Sequence, residues 1–171
     1  TFQPHIALFP FGFGMSYTTF AYSGLSIQPS NVTSQSTVIQ ISIFIKNTGT
    51  RSGADVVQLY LVHSPSLFFL FRFLFSFLLL IHIKQGDRVA SIVRYKQQLK
   101  GFKKIMLRPQ EQQKVTLSLA VSALAFYDRK MRFVVEAGWF DVWVGSDCIA
   151  TQPTACMTGS FYVAQSYVIG A

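Results

Sequence analysis

Acidic side chains are scarce in this chain: seven Asp and Glu among 171 residues, against fifteen Lys and Arg. Histidine occurs three times and cysteine twice. His5, His63 and His82 are too dispersed to form a Cys/His cluster with metal-ligand spacing, so no metal or other cofactor is expected. Charged residues of both signs make up only 13% of the chain while half of it is hydrophobic, a balance that excludes a disordered or low-complexity segment. Room is also lacking. A chain of this length buries roughly 70% of its unfolded surface, enough for one core, but a (β/α)8 barrel needs about 250 residues. No charged-then-apolar opening resembles a signal peptide and no initiator Met is present, so Thr1 reads as an internal cut and the chain as a fragment.

The formal net charge of +8 raises the question of a polyanionic partner. The basic residues are scattered in ones and twes and the densest run, Lys100-Gly-Phe-Lys103-Lys104, reads as a solvated strand face, so no nucleic acid is expected. Gly12-Phe-Gly14 carries Tyr17 where a dinucleotide fingerprint needs its third glycine, which disposes of a phosphate loop.

What the chain does contain is a period of two. Ile39, Ile41, Ile43 and Ile45 alternate with Gln40, Ser42 and Lys46, and Val115, Leu117 and Leu119 alternate with Lys114, Thr116 and Ser118. Phe140, Val142 and Val144 repeat the pattern between Trp139 and Gly145. Each run is a half-buried strand. Further strands are predicted at Thr19–Ile27, Ala54–Leu61, Gln98–Met106, Phe126–Tyr127 with Arg132–Val135, and Ser160–Val163. Between them lie Asn47-Thr-Gly49, Arg108-Pro-Gln-Glu111, Asp128-Arg-Lys130 and Ala137-Gly138, all of which suit sharp reversals. No stretch outside the apolar tract described next reads as an amphipathic helix. Seven or eight short strands at this spacing predict an all-β, immunoglobulin-like sandwich.

One tract obeys neither a period of two nor one of 3.6. Leu67 to Ile83 holds six Phe and six Leu around Arg72. As a helix its seventeen residues would reach only about 26 Å against a hydrocarbon core of about 30 Å, and the arginine would cost roughly 2.5–3.5 kcal/mol. A span there would also place residues 1–61 and 86–171 on opposite sides of a bilayer, dividing strands that must share one sandwich. A membrane anchor is therefore disfavoured. Removing Val62 to Gln85 instead joins Leu61 to Gly86 in a continuous strand and polar turn. Those 24 residues correspond to 72 nucleotides, open with a codon that begins GT and close with one that can be CAG, and Phe, Leu and Ser are what a pyrimidine-rich tract encodes. The reading is a retained intron at 62–85.

Several blocks resemble a known family. Leu8-Phe-Pro-Phe-Gly-Phe-Gly-Met-Ser-Tyr-Thr-Thr-Phe20, Asn47-Thr-Gly49, Gly53-Ala-Asp-Val-Val-Gln-Leu-Tyr60, Asp87-Arg-Val-Ala-Ser91, Leu99-Lys-Gly-Phe-Lys103, Phe126-Tyr-Asp128, Val135-Glu-Ala-Gly138 and Phe140-Asp-Val-Trp-Val-Gly145 occur in the order found at the carboxy terminus of family three of the glycoside hydrolases. There they form a fibronectin type III-like domain, and the Val-Ala-Ser and Leu-Lys-Gly-Phe blocks are most similar to the broad-specificity β-glucosidase branch, which includes β-xylosidase-like activities. Three turns depart from the family pattern: Arg94-Tyr95 stands for Arg-Pro, Pro109-Gln-Glu111 for Pro-Gly-Glu, and Glu136-Ala-Gly138 for Glu-Pro-Gly. Glutamine tolerates a positive φ poorly, so the turn before Gln112 is expected to be strained, by about 1 kcal/mol, or of another type.

The resemblance implies residues 1–17 as a linker strap from a preceding catalytic domain and 18–171 as the sandwich, interrupted at 62–85. Glycoside hydrolysis needs two flanking carboxyl groups. Asp55, Asp87, Glu111, Asp128, Glu136, Asp141 and Asp147 are the candidates, and none lies in a catalytic motif of the family. The family's nucleophile and acid/base belong to an amino-terminal barrel and an α/β domain upstream, so no catalytic or substrate-binding residue is expected here and the fragment alone should be inert. The stripe Phe9, Phe11, Phe13, Tyr17 and Phe20 would pack against the preceding domain, where buried aromatics carry contact energy, although the same rings could stack on sugar. The expected partners are those catalytic domains, with β-glucosides reached only through them; the role is scaffolding and shaping the rim of the sugar-binding cleft. A stand-alone carbohydrate or adhesion module and a membrane-anchored β-domain are the alternatives.

Asn31-Val-Thr33 is an N-glycosylation acceptor in a Pro/Ser-rich turn. Cys148 and Cys156 either close a loop as a disulfide, with about 2–3 kcal/mol of stabilisation, or stand as two free thiols. A bridge fits a secreted parent enzyme. For the Phe/Leu tract the expected outcome is a mature transcript lacking the 72 nucleotides that encode 62–85; a sequenced message that keeps them overturns the intron reading.

Overall fold

The isoleucine alternation forms the centre of one sheet. In the computed structural model, which describes residues 11–62, 97–146 and 156–169, β3 (Val38–Asn47) lies between β1 (Phe20–Gln28) and β6 (Gln112–Ala120), antiparallel to both. Ile39, Ile41, Ile43 and Ile45 are each at most 1% exposed, and their cross-strand partners Leu119, Leu117 and Val115 share the same inward face. Lys46, Gln40 and Phe44 take the outward positions, with the Lys114 ammonium 5.9 Å from the centre of the Phe44 ring.

The facing sheet has the order β2-β10-β9-β4-β5. Its members are β2 (Asn31–Val32), β4 (Gly53–Val62), β5 (Gln97–Leu107), β9 (Gly138–Gly145) and β10 (Cys156–Val163). All pairs are antiparallel except β2 with β10, which run parallel. From this sheet Leu59, Leu61, Ile105, Leu107, Phe140, Val142, Val144, Phe161 and Val163 join the β3 isoleucines in one core. Phe140 and Phe161 are direct cross-strand partners whose rings stack 5.5 Å apart at 7°, a contact beyond simple area burial. Gly159 lets the two sheets close at this edge: a Cβ there would stand 2.7 Å from Ile27 Cδ1 of β1.

The all-β sandwich predicted from the period of two is thus the fold. A third, small sheet with order β11-β8-β7 caps one end, built from β7 (Phe126–Tyr127), β8 (Phe133–Val135) and β11 (Tyr167–Val168). Three details differ from expectation. A 3-10 turn at Val121–Leu124 follows β6, burying Val121 and Leu124, and is too short to leave a helical period. Asn31 belongs to the two-residue strand β2 rather than to an open turn. And β4 runs one residue past Leu61, so that Val62, the first residue of the suspected insertion, pairs with Gln97 and Asp141. No described helix is long and apolar enough to cross a membrane; residues 63–85 lie outside the described residues.

Asn47, the last residue of β3, is fully buried. Its Oδ1 accepts from Thr18 Oγ1 at 2.6 Å and the Gly49 amide at 3.0 Å, while its Nδ2 donates to the carbonyls of Arg51 at 2.8 Å and Leu107 at 3.1 Å. The backbone amide of Asn47 donates to Glu111 O and its carbonyl accepts from Gln110 N. One side chain therefore joins the entry to β1, the β3–β4 turn and the end of β5. Replacing it with alanine leaves buried partners unsatisfied, each at about 1–3 kcal/mol. We expect Asn47→Ala to lower stability by about 3 kcal/mol, read as a shift of the urea midpoint by circular dichroism; an unchanged midpoint refutes this role.

Candidate functional site

Two kinds of site are open to such a domain: a carboxylate pair that does chemistry, and an apolar surface that binds. Asp55 and Glu111 are engaged in structure. Tyr22 donates its hydroxyl to Asp55 Oδ2 at 2.5 Å, and the Val56 amide donates to Asp55 Oδ1. Glu111 Oε2 accepts from the Arg108 amide at 2.7 Å across the β5–β6 turn. Asp141 projects from the outer face of β9, between the buried Phe140 and Val142, and partial burial raises its carboxyl above the usual range. Asp87 and Asp147 lie outside the described residues, as do His5, His63 and His82.

Asp128 and Glu136 do line one groove, of about 280 Å³, together with Arg132, Val134, Ser166, Tyr167 and Val168. Asp128 is unsuited to acid catalysis there. Its Oδ1 accepts the amides of Lys130 and Arg132, and its Oδ2 accepts Arg132 Nε at 2.9 Å and pairs with the second guanidinium nitrogen at 2.7 Å. Those donors, led by the Arg132 amide, hold the carboxyl below its ordinary value and outweigh the opposing effect of burial. A general acid in glycoside hydrolysis needs the opposite shift. Asp128 instead organises the β7–β8 turn, in which Met131 takes φ 58°. Among the described residues no group of three His, Cys, Asp or Glu could hold a metal ion.

The apolar surface is more distinctive. Phe11, Phe13 and Tyr17 are 72%, 51% and 91% exposed, and every described residue before the buried Thr18 is exposed. The backbone beneath these rings is nonetheless seated. Gly12 has φ 91°, and a Cβ there would collide with Gln58 Nε2 and stand 2.6 Å from the Ser146 carbonyl oxygen. Gln58 is itself buried, donates to Ser146 O at 3.0 Å and accepts from Tyr60 Oη at 2.6 Å. Phe20 differs from the rest of the stripe: it opens β1 opposite Asn47 and packs against the core. Phe9 lies outside the described residues.

A second aromatic feature escaped the sequence reading. Trp139 and Tyr162 are direct partners across β9 and β10, with ring centres 5.3 Å apart, on the sheet's outer face. Trp139 is 62% exposed. Each sits at a position that alternation assigns to polar residues, which is the one signal that could have revealed them. The acceptor residue Asn31 is exposed, with the buried Val32 after it. Cys156 opens β10, whereas Cys148 falls outside the described residues, so the disulfide expectation does too.

The turns that depart from the family pattern are informative. Gln110 takes φ 63°, a conformation that suits glycine, at the position where the pattern has Gly. Ala137, where the pattern has Pro, donates its amide to Ser166 Oγ at 2.9 Å, a bond proline cannot make.

Comparison with known proteins agrees with this geometry. The fibronectin type III-like domain family matches residues 85–148. The periplasmic β-glucosidase of Salmonella typhimurium is 34% identical over 140 residues, which are 82% of this chain and 15% of that protein. A putative β-xylosidase of Formosa agariphila is 32% identical over 148 residues, 86% of this chain and 16% of that protein. The crystal structure of a β-glucosidase from Listeria innocua with glucose superimposes with a TM-score of 0.71 at 26% identity, covering 99% of this chain and 19% of that one. This chain is a fibronectin type III-like domain of the family three glycoside hydrolases. It spans about one-sixth of the length of the curated relatives it matches.

In this fibronectin type III-like domain Asp128 makes a pH-dependent contribution of definite sign. A carboxyl held below its unfolded value stabilises the fold fully above that unfolded value, and the contribution disappears as pH falls through the folded one. We expect Asp128→Asn to lower the thermal midpoint at pH 7 and to converge with the unsubstituted chain well below pH 4; an equal offset at both pH values overturns the assignment.

Proposed function

We propose that this accessory domain scaffolds a larger enzyme that hydrolyses terminal β-D-glucosyl residues, and that its partners are the catalytic domains of that enzyme. The observation that carries the reading is the strap: three outward aromatic rings on a backbone fixed by Gly12 against Gln58 and Ser146. Exposed rings of this size are poor solvent neighbours and good interface anchors. Among the described residues burial begins at Thr18, which supports residues 1–17 as the linker and 18–171 as the domain. The reading of 62–85 as an insertion rests on its Phe/Leu composition, and Val62, its first residue, extends the β4 ladder by one pair with Gln97. On this reading the β-glucoside reaches the domain only within the whole enzyme, at a cleft rim, and the enzyme is secreted.

The same rings could serve a stand-alone carbohydrate module, and binding separates the two. A scaffold shows no heat of binding with cello-oligosaccharides in calorimetry and releases no nitrophenol from 4-nitrophenyl β-D-glucoside. A chimaera tests the scaffold directly. With this domain replacing the matching stretch of the Salmonella enzyme, serine at Phe11 and Tyr17 is expected to lower the melting temperature of the chimaera by several degrees. The same substitutions should leave the melting of the isolated chain within a degree, since the rings are exposed there. Oligosaccharide binding that the serines abolish, with no effect in the chimaera, overturns the proposal.

A further inference from the structure

The exposed pair Trp139 and Tyr162 lies beside the glycan acceptor Asn31. In the parallel pairing of β2 with β10, Asn31 is the register partner of Tyr162, and in the antiparallel pairing of β10 with β9, Tyr162 is the partner of Trp139. The three residues therefore form one row across three neighbouring strands. They share a face, because Val32, Phe161, Val163 and Phe140, the chain neighbours of the three, are all buried on the other side. The register is pinned by backbone bonds on either side of Asn31: Tyr162 N donates to Ser30 O and Ala164 N to Val32 O, both at 2.8 Å. Adjacent strands lie about 4.8 Å apart, so a sugar attached to the Asn31 amide begins within one ring's width of the Tyr162 side chain.

The chemistry of the two partners is complementary. The axial C–H bonds of a β-linked N-acetylglucosamine present an apolar face, and aromatic rings present a negative one that favours such contacts. Trp139 is 62% and Tyr162 36% exposed, so part of each ring at these outward strand positions meets water. Thr33, which completes the acceptor triplet, is exposed, so the triplet can be altered without disturbing the core.

We propose that Trp139 and Tyr162 are a built platform for the protein's own N-linked glycan, whose first N-acetylglucosamine, attached to Asn31, stacks on Tyr162 with Trp139 behind it. The proposal rests on the secreted setting given above and on Asn31 as acceptor, and the test reads these separately from the stacking. The full chain, fused to a secretion signal, is produced in yeast and trimmed with an endoglycosidase that leaves a single sugar. Intact mass reads occupancy, and loss of the added mass in Thr33→Ala assigns it to Asn31. Occupied protein is expected to melt a few degrees above Thr33→Ala. In Tyr162→Ser the occupied and unoccupied forms should melt together, whatever that substitution costs by itself. In the occupied protein the ring protons of the N-acetylglucosamine should resonate upfield of those in free chitobiose, and Tyr162→Ser should abolish that shift. An unmodified Asn31 overturns the acceptor and with it the platform. An occupied Asn31 with unshifted sugar protons overturns the platform alone.

Discussion

The arrangement depends on one constraint: the end of β3 must be hydrogen-bonded without water. Asn47 meets it with both oxygen lone pairs and both amide hydrogens engaged, by four partners in three segments that are distant in sequence. Buried polar groups are costly only when incomplete, and this one is complete. Because Thr18 is among the partners, the segment that leads into β1 is held by the same side chain. The described residues 11–17 are thus held between this hub and the Gln58–Ser146 seat beneath Gly12.

Each sheet has one face that specifies the fold and another left for other uses. Inward positions admit almost only Ile, Leu, Val and Phe, and a substitution there would open a cavity of the kind that costs about 2–5 kcal/mol. Outward positions are under no such demand. Where they nevertheless carry large rings, as at Trp139 and Tyr162, those rings are available for contact as well as for their own cross-strand pairing. The same distinction separates Phe20, which the core accounts for, from Phe11 and Tyr17, which it does not.

Much of this was legible in the sequence because the period of two is a direct consequence of strand geometry. The β3, β6 and β9 runs alternate cleanly, and their inward residues are those that alternation selects. Phe126–Tyr127 was read from its aromatics beside the Asp128 turn, but two other short elements were not legible. Asn31–Val32 and Tyr167–Val168 are two residues long, and no pattern can be read from two positions. Nor was the row from Asn31 through Tyr162 to Trp139, since parallel pairing of residues 131 positions apart is set by the whole fold. Asp128 was visible as a turn residue, but its saturation by Arg132 and two amides depends on the backbone at Met131.

The departures from the family pattern show why the domain tolerates them. At Gln110 a non-glycine residue holds φ 63°, a conformation that costs about 1 kcal/mol. Its amide nevertheless donates to Asn47 O at 3.0 Å and its side-chain nitrogen reaches Thr48 O at 3.2 Å. The turn keeps its shape because the Asn47 hub holds it from below. At Ala137 the loss of proline's stiffness is offset by the bond to Ser166, which ties β8 to the segment before β11. Both sites lie at reversals outside the buried cluster, where a local cost of this size does not spread into the packing. A sandwich whose two sheets are fixed by alternation and whose ends are fixed by one asparagine can accept changes at its reversals, and for that reason chemistry is best sought at its outward faces and its strap.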